Sequence, residues 1–292
     1  MSKIAFQAMG TNNNVANFKD WVQKLSDALT TVGFVKTNDT GQLDIAGISA
    51  VPSTNTYAGF EIRKLDDSLF AANPILLKIE YGSGSSSTNY PGLRLTMGHD
   101  TDGAGNLVGQ ITDSSVINFP DYYTTAPLDC YASCGEGYVS VVMFCGYRHA
   151  CGFYIARSSD PATGIPNAYG AHLVCDAGRN GLRQQGLRGI DGGKMPSSPF
   201  LSPVCAAPYS GNGTYGNNIG VFPIFFYDGY PVGPDYTGVA YFNDDIQASG
   251  TQFTLTINGI TRTFVTIGGQ PTSNSGKLNG NSLIASIMVR YE

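Results

Sequence analysis

The stretch "TQFTLTINGITRTFVTIG", Thr251 to Gly268, constrains the fold more than any other stretch of the chain. Asn258-Gly259 separates two alternating runs, as a two-residue hairpin turn requires, because the central residues of such a turn take positive φ and Asn and Gly tolerate it. The register follows directly. With Ile257 opposite Ile260, Leu255 faces Arg262 and Phe253 faces Phe264 on one side, while Thr256 faces Thr261 and Thr254 faces Thr263 on the other. Aromatic pairs and threonine pairs are both favourable across strands, so the two faces agree on one pairing.

Most of the chain after Gly33 repeats this kind of signal. Strand candidates are "GFEIRKL", "ILLKIEY", "LRLTM", "YVSVVMF", "GFYIAR", "AHLVC", "VFPIFFY", "GVAYF" and "LIASIMVRY", with turn residues between them. That recurrence predicts antiparallel sheets and not alternating βα units. One helix interrupts it. From Asn14 to Val32, the residues Val15, Phe18, Trp21, Val22, Leu25, Leu29 and Val32 fall at three- and four-residue steps and form one apolar stripe. Asn13 or Asn14 can cap its start, and Gly33 sits where a left-handed stop is wanted. Trp21 lies on the stripe and reads as core. The predicted fold is mainly β, a sandwich or barrel-like arrangement of antiparallel sheets with one N-terminal amphipathic helix. The glycine-rich "DGAGNLVGQITDSS" marks a seam between an N-terminal region, residues 1–112, and a cysteine-bearing region, residues 113–292, unless the chain is one compact unit.

Composition narrows the partners. Charged residues make up 13% of the 292 residues, about half of the roughly 25% usual for a soluble domain. The exterior must therefore be built largely of Ser, Thr, Asn, Gly and the 17 tyrosines. Interfaces deplete charge and enrich aromatics, so this surface suits subunits that bury much of their exterior against neighbours. The net charge of −5 comes without a basic run, which sets nucleic acid aside, since phosphate binding needs clustered Lys and Arg. "MSKIAFQAMGTNNN" holds no apolar stretch of signal-peptide length, and no segment approaches the roughly 20 apolar residues of a membrane span. A product made in the cytoplasm, without membrane insertion, is expected.

Chemistry-bearing patterns fare poorly. Asp100, Asp102 and Asn106 resemble a calcium loop, but the sixth and twelfth positions counted from Asp100 hold Gly105 and Ile111, and the twelfth should be Glu. Asp, Asn and Gly favour turns for local reasons, which explains the loop equally well. "GAGNLVG" has one residue too many for a dinucleotide fingerprint. His99, His149 and His172 are the only histidines and no serine sits in a G-x-S-x-G elbow, so a serine triad has little to stand on. Asp66-Asp67 and Asp244-Asp245 are paired acids of the kind glycosidases use, although adjacent acids in turns are usually just solvated. Cys130, Cys134, Cys145, Cys151, Cys175 and Cys205, with His149 and His172, offer soft ligands. Their spacing lacks the tight pairs of structural zinc sites. Reduced buried thiols are favoured, with disulfides the main alternative and metal the remaining one. No catalytic, cofactor-binding or metal residue is expected.

The segment "GFEIRKLDDSLFAANPILLKIEYGSGSSSTNYPGLRLTMGHDTDGAGNLVG", Gly59 to Gly109, resembles a segment of structural proteins of tailed-bacteriophage virions. In that group an extended stretch ending in Asp-Ser-Leu leads to a Pro…Lys-Ile-Glu-Tyr-Gly strand, a Gly/Ser-rich connection, a second strand and a Gly…Asp-Gly-Ala-Gly turn. The preceding helix, "GFYIARSSDPATG" at Gly152 to Gly164, and a short final strand are also similar. The likeness is good over about the first third of the chain, and the cysteine-bearing middle departs from it. What the resemblance implies is a non-enzymatic virion component of the tail, neck or baseplate, in several copies, contacting itself and neighbouring virion proteins. It carries over no catalytic residue. Gly82 to Asn89 is then expected to be a hairpin tip that orders against an adjacent subunit. Alternatives are a receptor-binding tip or fibre domain recognising a host-surface glycan through "SGNGTYGNN" and "YDGYPVGPDY", with Tyr227, Tyr230 and Tyr236 as contacts, a capsid decoration protein, or a polysaccharide hydrolase using Asp244 and Asp245.

Overall fold

A computed structural model describes residues 1–9, 14–83, 91–110, 115–118, 127–145, 149–159, 166–176, 182–188, 201–202, 221–226, 235–242, 250–257, 260–266, 277–278, 281–282 and 286–292. Strand β1 (Ser2–Met9) precedes helix α1 (Val15–Thr31), followed by β2 (Val35–Lys36), β3 (Tyr57–Lys64), β4 (Leu76–Ser83), β5 (Pro91–Thr101), β6 (Leu107–Gln110) and β7 (Ser115–Asn118). Next come β8 (Pro127–Gly135), β9 (Tyr138–Cys145), β10 (His149–Ser159), β11 (Pro166–Asp176), β12 (Leu182–Arg188) and β13 (Leu201–Ser202). The remainder are β14 (Val221–Phe226), β15 (Asp235–Phe242), β16 (Gln252–Ile257), β17 (Ile260–Thr266), β18 (Lys277–Leu278), β19 (Asn281–Ser282) and β20 (Ser286–Arg290).

These strands make three antiparallel sheets and a small ribbon. The first sheet runs β1-β8-β9-β10-β11-β12, the second β2-β3-β4-β5-β6 with β7 also on β5, and the third β13-β14-β15-β20-β17-β16. The ribbon is β18-β19. The chain is thus mainly β with a single helix among the described residues, and its sheets are sandwich-like. The barrel-like form is not the one adopted, since no described sheet closes on itself. No described helix is long and apolar enough to cross a membrane.

Local chemistry explains α1. Asn14 Oδ1 accepts from the Ala16 amide at 2.8 Å and the Asn17 amide at 3.4 Å, satisfying N–H groups that no helical turn precedes, a contribution of about 1 kcal/mol. At the other end Gly33 takes φ +91°, and the Phe34 amide donates to Leu29 O while the Gly33 amide donates to Thr30 O. That paired closure is the Schellman stop, and it needs the left-handed residue that glycine supplies at little cost. The expected stripe is buried: Phe18, Trp21, Val22, Leu25, Leu29 and Val32 face a core shared with the first and second sheets. Trp21 meets Tyr81 edge-on at 6.1 Å and Phe18 at 5.8 Å.

One polar network lies inside this core. Glu61 and Arg63, on the helix-facing side of β3, have fully buried side chains. Arg63 donates to Glu61 Oε2 through Nε and Nη2 at 3.0 and 2.8 Å, and to the Phe34 and Ser26 carbonyls and the Ser26 and Thr30 hydroxyls. Glu61 also accepts from Ser26 Oγ at 2.7 Å, Tyr81 OH at 2.9 Å and Lys36 Nζ at 3.1 Å. A buried ion pair persists only when its remaining hydrogen-bonding capacity is filled, as here. Helix α1 is therefore held to the second sheet by charge as well as by apolar contact.

The hairpin register read from sequence is the one observed. Phe253 pairs with Phe264, Thr254 with Thr263, Leu255 with Arg262, Thr256 with Thr261 and Ile257 with Ile260. The Asn258-Gly259 turn itself lies outside the described residues, as do residues 84–90 of the Gly/Ser-rich connection and residues 111–114, where the 112/113 seam was expected. Strand β1 pairs with β8 across that seam. The third sheet meets the first where Ser140 Oγ donates to Arg290 O at 2.7 Å and Tyr138 OH donates to Glu292 O at 3.2 Å.

Candidate functional site

The acidic candidates are occupied by structure. Asp102 Oδ1 accepts the Ala104 and Asn106 amides at 2.8 and 3.0 Å, and its Oδ2 accepts Asn106 Nδ2 at 2.7 Å. These bonds hold the exposed Asp102 carboxyl below the usual range and close the β5–β6 hairpin. Asp100 Oδ1 accepts the Thr101 amide. The loop is thus a self-satisfied turn, and among the described residues no βαβ unit surrounds "GAGNLVG". Asp66 pairs with Lys64 at 3.2 Å on the surface. Asp67 is buried against Arg157, accepting from Nε at 2.5 Å and Nη2 at 2.8 Å, while Arg157 Nη2 also donates to Asn73 O. Asp67 therefore ties the segment after β3 to β10. Asp244, Asp245, Tyr227 and Tyr230 lie outside the described residues, and Tyr236 falls in β15.

The histidines are not gathered. His99 lies in β5, whereas His149 and His172 lie in the first sheet, opposite Cys145 and Ala156. Positions 149 and 156 of β10 are seven residues, or about 23 Å, apart.

The cysteines fall into place by period. Leu128, Cys130, Ala132 and Cys134 are alternate residues of β8 and all are buried, so the four-residue spacing is two strand repeats and not a ligand pair. At about 3.3 Å per residue their Cα atoms stand about 13 Å apart, too far for one metal or one disulfide. Both thiols are free. Cys130 lies opposite Met143, which lies opposite Cys151, so two strand spacings, about 10 Å, separate those cysteines. Cys145 and Cys175 lie opposite His149 and Phe153, diagonal to Cys151 at about 7–8 Å. No two of these five occupy the directly opposed positions that a disulfide of about 4.4–6.8 Å Cα separation uses. Cys205 lies outside the described residues. Burial pushes the Cys134 thiol up to about 12 and Cys130 higher still. Alkylation by iodoacetamide at pH 8, read by peptide mass, is expected to leave both unmodified in the folded protein and to label both once urea unfolds it.

A cleft of about 500 Å³ opens between Gly41–Pro52 and Thr56–Gly59. Gln42 in its wall is spent internally, donating to the Thr37 and Asp39 carbonyls and accepting the Ile62 amide. Asp44 Oδ1 accepts the Ala46 amide. The cleft brings no group that sequence reasoning had singled out to another.

What the topology leaves exposed is an edge. Strand ends of sheets attract other chains unless charge, proline, a bulge or brevity blunts them. Among the described outer strands, β16 is the longest that carries no charge, proline or bulge, and the likewise uncharged β7 has only four residues. β1 carries Lys3, and β12 carries Arg183 and Arg188 beside a register shift in β11. β2 and β13 have two residues each, and four-residue β6 contains Gly109 at φ +60°. β16, "QFTLTI", has six residues, no charge, no proline and an unbroken register.

The direction of its backbone can be derived. Thr263 O accepts the Tyr291 amide at 2.8 Å and the Thr263 amide donates to Glu292 Oε1 at 3.1 Å. Both backbone groups of Thr263 thus face away from β16, which makes Thr254–Thr263 a non-hydrogen-bonded pair. Thr254 therefore turns its N–H and C=O to the outer edge, and Gln252 and Thr256 do the same by alternation. All three residues are exposed. Their hydroxyl rows are ordered, with Thr256 and Thr261 Oγ1 at 3.0 Å and Thr254 and Thr263 Oγ1 at 3.4 Å. This edge can add a strand from another polypeptide through main-chain hydrogen bonds. Sequence reasoning identified the strand but not its edge position, which depends on β20 inserting between β15 and β17.

No protein-family model, curated protein or solved structure matches the chain.

Proposed function

We propose that this chain is a non-enzymatic structural component of a tailed-bacteriophage virion, present in several copies in the tail, neck or baseplate, with the outer edge of β16 as an assembly contact. The single observation that carries the assembly reading is that the outer edge of β16 is uncharged, exposed at Gln252, Thr254 and Thr256, and paired with no described strand. The low charge content and the resemblance of Gly59 to Gly109 to virion structural proteins support it. The engagement of Glu61, Asp67 and Asp102 in holding structure favours a scaffold over a reaction centre.

Particle incorporation tests it. A wild-type chain supplied in trans is expected to sediment with assembled particles, and Thr254→Lys, which charges an exposed edge position, is expected to fold normally yet be excluded. A wild-type chain that stays monomeric outside particles while binding a glycan or cleaving a polysaccharide would overturn the reading.

A further inference from the structure

We infer that the occupant of the β16 edge is the same edge of a second copy, antiparallel, with Thr254 opposite Thr254 of that copy. The inference rests on the reading of β16 as an assembly edge and adds the partner and the register. Three residues, Gln252, Thr254 and Thr256, offer outward backbone pairs, and they are evenly spaced about Thr254. An antiparallel copy centred there matches Gln252 with Thr256, Thr254 with itself and Thr256 with Gln252. Each facing pair exchanges two hydrogen bonds, about six in all. A slip of two residues in either direction leaves only two facing pairs and about four bonds, so the centred register is the best satisfied.

Side chains agree with that register. β16 brings no charge, so two copies do not repel. The pair Thr254–Thr263 becomes a row of four threonines across Thr263, Thr254 and their two symmetry copies, extending hydroxyl pairs already present. Threonine pairs of this kind are favourable across strands. Two six-stranded sheets would join into one of twelve strands. Because the operation is a two-fold, the contact closes on itself and yields a dimer, leaving higher assembly to other surfaces.

Cysteine scanning on the full chain tests the register. Under mild oxidation, with the wild-type chain as the baseline for its native thiols, Thr254→Cys is expected to form on the order of ten times more covalent dimer than Thr256→Cys, whose symmetry mate lies about 14 Å away. Thr254→Lys sets like charges opposite each other and is expected to weaken association at least about tenfold by sedimentation, with an unchanged melting temperature. Equal cross-linking by the two cysteine variants overturns the register. Dissociation by Thr254→Lys without Thr254→Cys cross-linking shows that a different polypeptide pairs there, which overturns the two-fold and leaves the assembly edge standing. Association of Thr254→Lys at wild-type strength overturns both.

Discussion

Replacing Arg63 with alanine is expected to destabilise the protein by about 3–5 kcal/mol, read as a lower urea midpoint at an unchanged slope. The substitution leaves the Glu61 carboxylate buried without its guanidinium and removes the donor to the Phe34 carbonyl, while the Ser26 carbonyl keeps its bond from Thr30 Oγ1. Arg94→Ala provides the contrast. Its Glu80 pair is partly exposed, and its loss should cost less than about 1 kcal/mol. The network also sets an acid limit. Burial acts to raise the Glu61 carboxyl, but Arg63, Ser26 and Lys36 together hold it below its ordinary range. A depressed folded value means stability that is complete above the unfolded value of about 4.3 and is lost as pH falls through the lower folded one. In Arg63→Ala burial acts with less opposition, so its deficit should shrink rather than grow on acidification.

Asp67→Ala is expected to cost a similar 3–5 kcal/mol, because the buried Arg157 guanidinium then loses the carboxylate that balances its charge. Neighbouring Asp66 is half-exposed, and Asp66→Ala should change stability by less than about 0.5 kcal/mol. Hydrogen exchange distinguishes the two. Amides of the turn held by Asp67, those of Leu69, Phe70 and Asn73, should lose protection in Asp67→Ala and keep it in Asp66→Ala. A pair of adjacent acids thus divides into one structural anchor and one solvated side chain.

Much of this fold was legible because the relevant signals are local. The α1 stripe, its Asn14 cap and the Gly33 stop follow from spacing and backbone chemistry, and the β16–β17 register from threonine and phenylalanine matching across the hairpin. β8 escaped notice because its buried face is built of Leu128, Cys130, Ala132 and Cys134. Small residues and thiols at alternate positions look like a ligand motif before they look like a strand. β1 escaped because Ile4, Phe6 and Ala8 alternate weakly and its partner β8 lies more than a hundred residues away. Glu61 and Arg63 alternate with the equally buried Ile62, so strand period alone does not place the charges inside. Ser26 and Thr30, one turn apart on α1, are the signal that could have placed them inside. The candidate edge was half legible. The neutrality of "QFTLTI" is written in the chain, whereas its place at the end of a sheet is set by long-range pairing with no local trace.

The most direct test of a multi-copy structural role is a reconstruction, by electron microscopy, of virions whose genome encodes the chain. Density is expected for several symmetry-related copies in the tail, neck or baseplate, each with β16 paired to a strand of another polypeptide. Particles that are complete without this chain, or that hold it with the β16 edge open to solvent in every copy, would contradict it.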